Sequence, residues 1–161
     1  MPPPSPMSIF PEEFEQIQAI CDGLNKQANA KAVFLVDKDG QLIAQAGETE
    51  GLDTTSLASL TAGTIAATGG LAQLIEEKEF AQQMHEGEKN NFYISIVGGR
   101  AILVVIFDSR SSLGLVRLRV RKCSESLTGI FETLVKKTAA TAGESPFAEI
   151  TDDDIDKLFA E

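Results

Sequence analysis

Seven consecutive apolar residues, AILVVIF from Ala101 to Phe107, constrain this chain more than any other feature in it. The run is too short for an independent helix and rich in β-branched side chains, so it predicts a strand over 101–107. Because it does not alternate, both of its faces must be covered, which places it in the middle of a sheet. The turn residues Gly98-Gly99 precede it, and NFYISIV before them predicts an antiparallel partner over 91–97. A second hairpin lies at KAVFLVDKDGQLIAQAG: a strand over 32–37, a turn at Asp37-Lys38-Asp39-Gly40, and a return strand over 41–46. Neither hairpin is stable alone in water. Together with a weakly alternating, polar strand over 80–87 (Phe80, Gln82, Met84, Glu86), they predict one five-stranded antiparallel sheet.

Helical periodicity fills the remaining spans. Pro11 and Glu12-Glu13 open a helix over 11–27, with an apolar stripe of Phe14, Ile17, Cys21 and Leu24. Asp53-Thr54-Thr55 can cap a helix over 54–77, whose apolar residues are Leu57, Leu60, Ile65, Leu71, Leu74 and Ile75. Leu113, Val116, Val120, Cys123, Leu127, Ile130 and Leu134 step alternately by three and four and mark a helix over 113–137. The expected organisation is a disordered, proline-rich lead-in over 1–10, a domain over 11–137, a flexible linker over 138–149, and a tail helix over 150–161. The tail carries Thr151-x-x-Asp154 as a capping box and Ile155, Leu158 and Phe159 as its apolar edge. The fold class is therefore α+β, in the order α–ββ–α–βββ–α, with helices on both faces of the sheet and a short C-terminal tail helix.

Function is narrowed first by exclusion. A formal net charge of −10 disfavours nucleic acid and anionic membrane as partners. No apolar run is long enough for a membrane span, and MPPPSPMS lacks the regions of a signal peptide, so a cytoplasmic location is expected. Cys21 and Cys123 fall on apolar helix faces and read as small buried hydrophobes rather than as a disulfide. His85 stands alone, so neither a catalytic triad nor a metal cluster can form around it. Asp37-x-Asp39-Gly40 lacks the further ligands of a calcium loop and is a plain turn. No phosphate-binding, dinucleotide-binding or hydrolase motif occurs. The expectation is a protein that is not itself an enzyme and uses no metal or cofactor.

Two features call for an explanation. LTAGTIAATGGLA, in the middle of the 54–77 helix, places Ala62, Ala66 and Gly70 at intervals of four. Glycine inside a helix costs about 1 kcal/mol relative to alanine, so Gly63, Gly69 and Gly70 need an offsetting gain. Close packing on the protein's own sheet would supply it, and so would close approach by another chain. The second feature is the basic group Arg117, Arg119, Arg121 and Lys122 in an acidic protein. It suits either a solvated helix back or contact with an acidic partner or with Asp152-Asp153-Asp154.

The element order, VFLVDKDGQLIAQAG, the small-residue helix SLASLTAGTIAATGGLAQLI and SLGLVRLRVRK together resemble the Roadblock (dynein light chain) family across residues 12–137. With the tail SPFAEITDDDIDKLFAE, the chain is most similar to that family's bacterial polarity and gliding-motility regulators. The resemblance implies a Roadblock/profilin-like fold and a homodimer, with third strands paired edge to edge and second helices side by side. It implies a Ras-like small GTPase of the MglA type as partner, bound on the second-helix platform at Ala66 and Gly70, with Ala62 and Gln73 beside them. Ile155, Leu158 and Phe159 would dock at a second site on that GTPase. The implied activity is activation of the partner's GTP hydrolysis by positioning its switch residues, without an arginine finger. A cytoplasmic protein gathered at a cell pole through its partners is also implied. Two other readings use the same fold: a dimeric adaptor that tethers partners without changing turnover, and a small-molecule sensor. The second is disfavoured by the few polar residues at inward positions of 32–37, 91–97 and 101–107.

Overall fold

The computed structural model describes residues 9–144, with side chains described through residue 140. Residues 1–8 of the lead-in expected over 1–10, residues 145–149 of the expected linker and the tail over 150–161 lie outside the described residues. The element order is α1 (Pro11–Gln27), β1 (Ala32–Asp37), β2 (Leu42–Gly47), α2 (Thr54–Leu74), β3 (Gln82–Glu86), β4 (Asn91–Val97), β5 (Ala101–Phe107) and α3 (Leu113–Glu144). The two hairpins join through their inner strands, giving the order β2-β1-β5-β4-β3, antiparallel throughout. β5 is buried along its whole length at the centre, as its unbroken apolar run requires.

Each turn has a chemical cause. Asp37 Oδ1 accepts hydrogen bonds from the backbone amides of Asp39 (3.0 Å) and Gln41 (2.9 Å), closing the first turn around Gly40 at φ +92°. Gly98 and Gly99, at φ +61° and +67°, form the second within the three-residue loop 98–100, where the Arg100 amide donates to the Val97 carbonyl at 3.2 Å.

The alternation of strand side chains creates two cores. One contains Val33, Leu35, Leu103, Val105, Tyr93 and Val97, packed under α1 and α3 through Ile17, Cys21, Leu24, Val116, Val120, Leu127, Phe131 and Leu134. The other contains Phe34, Val36, Ile94, Ile102, Val104 and Ile106, and α2 contributes only Ala58 to its buried set. Helices thus lie on both faces, two on one side and one on the other.

Several boundaries and positions differ from expectation. α1 buries Glu13 in place of Phe14, which is 42% exposed. The reason is Lys137 on α3, whose Nζ pairs with Glu13 Oε1, lies 3.7 Å from Glu12 Oε2, and sits 5.8 Å from the centroid of the Phe10 ring. That pairing holds the Glu13 carboxyl below its ordinary range, the Lys137 hydrogen bond being the main cause. On α3, Phe131 is buried where only its neighbour Ile130 was expected to be. α2 stops at Leu74, because Glu76 takes φ +63° and ends the helix. β3 is five residues long rather than eight. α3 does not stop at Lys137: it continues to Glu144, so the first part of the expected linker is helical. Its sequence there, TAATAGE, has no apolar periodicity, but alanine is the best helix former and no proline occurs before Pro146. Both cysteines are free, Cys21 buried and Cys123 half-buried; burial pushes the Cys21 thiol up to about 12.

Candidate protein interface

α2 begins with a firm cap. Asp53 accepts hydrogen bonds from the Ser56 amide (3.0 Å) and the Ser56 hydroxyl (2.6 Å), which hold its carboxyl below the ordinary range. After that cap the helix does little for the interior. Only Ala58, Thr61 and Ala72 are buried, with Leu57 and Ile65 half-buried beside them. Its large apolar residues point outward instead: Leu60 is 71% exposed, Leu71 57% and Leu74 80%. A helix that is apolar all round is made to be covered all round.

Gly63 and Gly70 belong to this uncovered side, and Gly69 lies half-buried on the flank of Ala62. A Cβ added at Gly63, Gly69 or Gly70 would meet nothing within 4 Å. Close packing within the chain therefore does not explain them. The threonine hydroxyls are turned back onto the helix, Thr64 Oγ1 donating to the Leu60 carbonyl (2.9 Å) and Thr68 Oγ1 to that of Thr64 (2.8 Å). From Thr54 to Leu74 there is no charged residue at all. What the helix presents is a smooth, neutral, largely apolar surface.

Two contacts fix which flank faces which way. Gln83 of β3 donates to Thr68 Oγ1 at 2.8 Å, which turns that side of α2 toward β3. Ala62 lies beside Gly40, where an added Cβ would come 3.5 Å from the Ala62 Cβ and 3.3 Å from Ser59 Cα. At 100° per residue, Leu60, Thr64, Leu71 and Ile75 share the β3 flank, while Ala62, Ala66 and Gln73 share the opposite flank. Gly63, Ala67, Gly70 and Leu74 run along the crest between them.

β3 itself is an open edge. Ile96 N donates to Ala81 O and Gly87 N to Asn90 O, so the odd-numbered residues of this strand bond to β4. Gln82, Met84 and Glu86 consequently turn their amides and carbonyls outward. The opposite edge is blunted: Gln18 of α1 donates to the Gln45 carbonyl of β2 at 2.8 Å, and a bulge interrupts the β1–β2 register at Leu35/Val36.

Of the residues singled out in the sequence, Ala66, Gly70 and Gln73 are exposed on α2, and Ala62 is half-buried against the β1–β2 turn. Ile155, Leu158 and Phe159 lie outside the described residues. Leu60, Leu71 and Leu74 belong to the same surface and were not singled out. Their signal was present, since at 100° per residue Leu74 lies on the crest and Leu60 and Leu71 lie about 50° and 70° from its centre, but apolar residues on a helix are read as core by default. Among the described residues no group of His, Cys, Asp and Glu could hold a metal, and no helix is long and apolar enough to cross a membrane.

The family model for the Roadblock/LC7 domain matches residues 16–107. Among solved structures, MglB of Myxococcus xanthus is 64% identical, over 79% of this chain and 96% of that one, with a TM-score of 0.75. The gliding protein MglB of Thermus thermophilus is 29% identical, over 80% of this chain and 97% of that one, at a TM-score of 0.74. A structure described as MglB with a tetrameric arrangement is 27% identical with the same coverage, at a TM-score of 0.76.

Proposed function

The chain belongs to the Roadblock/LC7 family, and from that membership and the outer surface of α2 we propose that it is a homodimeric, MglB-type regulator that activates GTP hydrolysis by a Ras-like GTPase of the MglA type. The observation that carries the proposal is the uncovered face of α2: two exposed glycines with open space beside them and three exposed leucines, next to an unpaired strand edge. The β3 edge and the Leu60, Thr64, Leu71 and Ile75 flank meet a second copy. The crest at Gly63, Ala67 and Gly70, with Ala66 and Gln73 beside it, then receives the GTPase. Ala62 contributes at the margin, and the tail residues Ile155, Leu158 and Phe159 engage a second site on the partner. α2 is about 30 Å long, enough to anchor the roughly 800 Å² per partner that a specific interface buries.

The mechanism follows from what α2 lacks. With no arginine or lysine between Thr54 and Leu74, this helix supplies no cation to the charge that develops on the transferred phosphoryl group. It acts by binding one conformation of the GTPase more tightly than others, so that the partner's own water-positioning and phosphate-binding groups become aligned. The chain is then a regulator of cell polarity and gliding motility, working in the cytoplasm and gathered at a cell pole through its partners.

The test is GTP turnover by a purified MglA-type GTPase with and without the full chain. Faster turnover that Gly70→Arg abolishes is the expected result. Binding without any change in turnover would give the adaptor reading instead, and no binding would overturn both.

A further inference from the structure

The side of the molecule opposite α2 carries a patch that the reading above leaves unused. Gly114, Arg117, Leu118, Arg121 and Lys122 are all exposed on α3. Leu118, 46% exposed, sits between cations on the solvent side of the helix. Three cations elsewhere pair with carboxylates: Lys38 with Glu79, Arg110 with Asp108 and Glu48, Lys137 with Glu12 and Glu13. None of Arg117, Arg121 and Lys122 has an ion pair among the described residues. A groove of about 540 Å³ adjoins Arg121 and runs between α3 and the β3–β4 pair. Ser95, only 5% exposed, and Ser124, whose Oγ is buried without a hydrogen-bond partner, both line that groove.

We propose that this α3 patch is a docking site for a short, acidic, amphipathic helix of a separate protein. Its carboxylates pair with Arg117, Arg121 and Lys122, an apolar residue covers Leu118, and one side chain reaches the Ser124 hydroxyl in the groove. The fit of charge is local. Glu125 and Glu132 line the groove on one side, and Glu86, Glu88 and Asp108 surround the start of α3 on the other. These carboxylates limit the favourable surface to about two helical turns, which admits a short segment and repels a long polyanion. In a chain of net charge −10 the attraction acts only within a Debye length, about 10 Å at 0.1 M salt.

The probe is a fluorescent synthetic helical peptide of leucine and glutamate at heptad spacing, titrated into the full chain at low and high salt with backbone NMR shifts recorded. Expected are shifts confined to residues 114–125 and the β3–β4 groove, binding that weakens with salt, and a loss of roughly tenfold or more in affinity in Arg117→Glu/Arg121→Glu. Leu118→Ser should weaken binding too, whereas Gly70→Arg on the opposite face should not. Should the double variant fold poorly, Arg121→Gln with the same shift mapping decides. Equal binding of poly-glutamate, or of a peptide with serine for leucine, would overturn the proposal by showing charge attraction alone. So would shifts elsewhere, no binding, or tighter capture of a peptide spanning residues 148–161, which would make the chain's own tail, in cis or from another copy, the occupant. None of these outcomes bears on GTP turnover, so the two proposals fail separately.

Discussion

Gly70 sets helix stability against access to a partner. Nothing lies within 4 Å of where its Cβ would be, so alanine there should stabilise the free protein by up to about 1 kcal/mol, a rise of roughly 2–4 °C in Tm for a chain of this size. The same added methyl lies on the crest, so GTPase affinity should fall; Gly70→Arg should abolish binding while leaving Tm within a few degrees. Unfolding of the arginine variant would show the crest to be core. Glu13 is the converse case, a charge where an apolar residue was expected. Its carboxyl is held below the ordinary value, so its stabilisation is complete above the unfolded carboxylate pKa, about 4.3, and is lost as pH falls through the lower folded value. Lys137 is raised and loses its share only in alkali, above the ordinary lysine range. Glu13→Gln should therefore melt below wild type at neutral pH, with the gap closing below about pH 4. A gap independent of pH would dissociate the pair from stability. The periodicity of α1 could not reveal this, because the residue that decides between Glu13 and Phe14 lies on the last helix.

At the scale of elements, the open edge of β3 makes the sharpest prediction. Met84 directs its amide away from β4, so Met84→Pro deletes a donor on the free edge and spares the ladder within the chain. Light scattering should find a dimer for wild type and a folded monomer for the variant; a wild-type monomer at micromolar concentration would refute the edge-to-edge arrangement. The hairpins, the central place of β5 and the helix order were legible in the sequence because each rests on local pattern: alternation, turn residues, a run with no polar face. α3 was legible only while it touched the body. Beyond Thr138 the described side chains, Ala139 and Ala140, are exposed, and α3 runs on to Glu144 through an alanine-rich sequence. The apolar face of α2 was visible as composition, but which leucines face out depends on Gln83 and Gly40, contacts distant in sequence.

For the whole molecule, the bodies on the two faces of the sheet contribute unequally. Truncation after Glu144 removes the segment assigned above to the GTPase, so Tm should hold nearly constant while GTPase binding or turnover falls; a large drop in Tm would mean that the tail packs on its own domain. The strand order carries a kinetic consequence as well. Ala32 pairs with Ile106 and Asp37 with Ala101, so the two hairpins, each able to form within microseconds, are joined only by closing a loop that contains all of α2. Loop-closure entropy rises only logarithmically with length, yet it must be met before β5 gains its second neighbour. Folding should therefore wait on the β1–β5 seam: Val104→Ala, at an estimated loss of about 2 kcal/mol, should slow refolding, while Ala58→Gly on α2 should act mainly by hastening unfolding. The helix that meets the partner would then be the last to settle and the first to loosen.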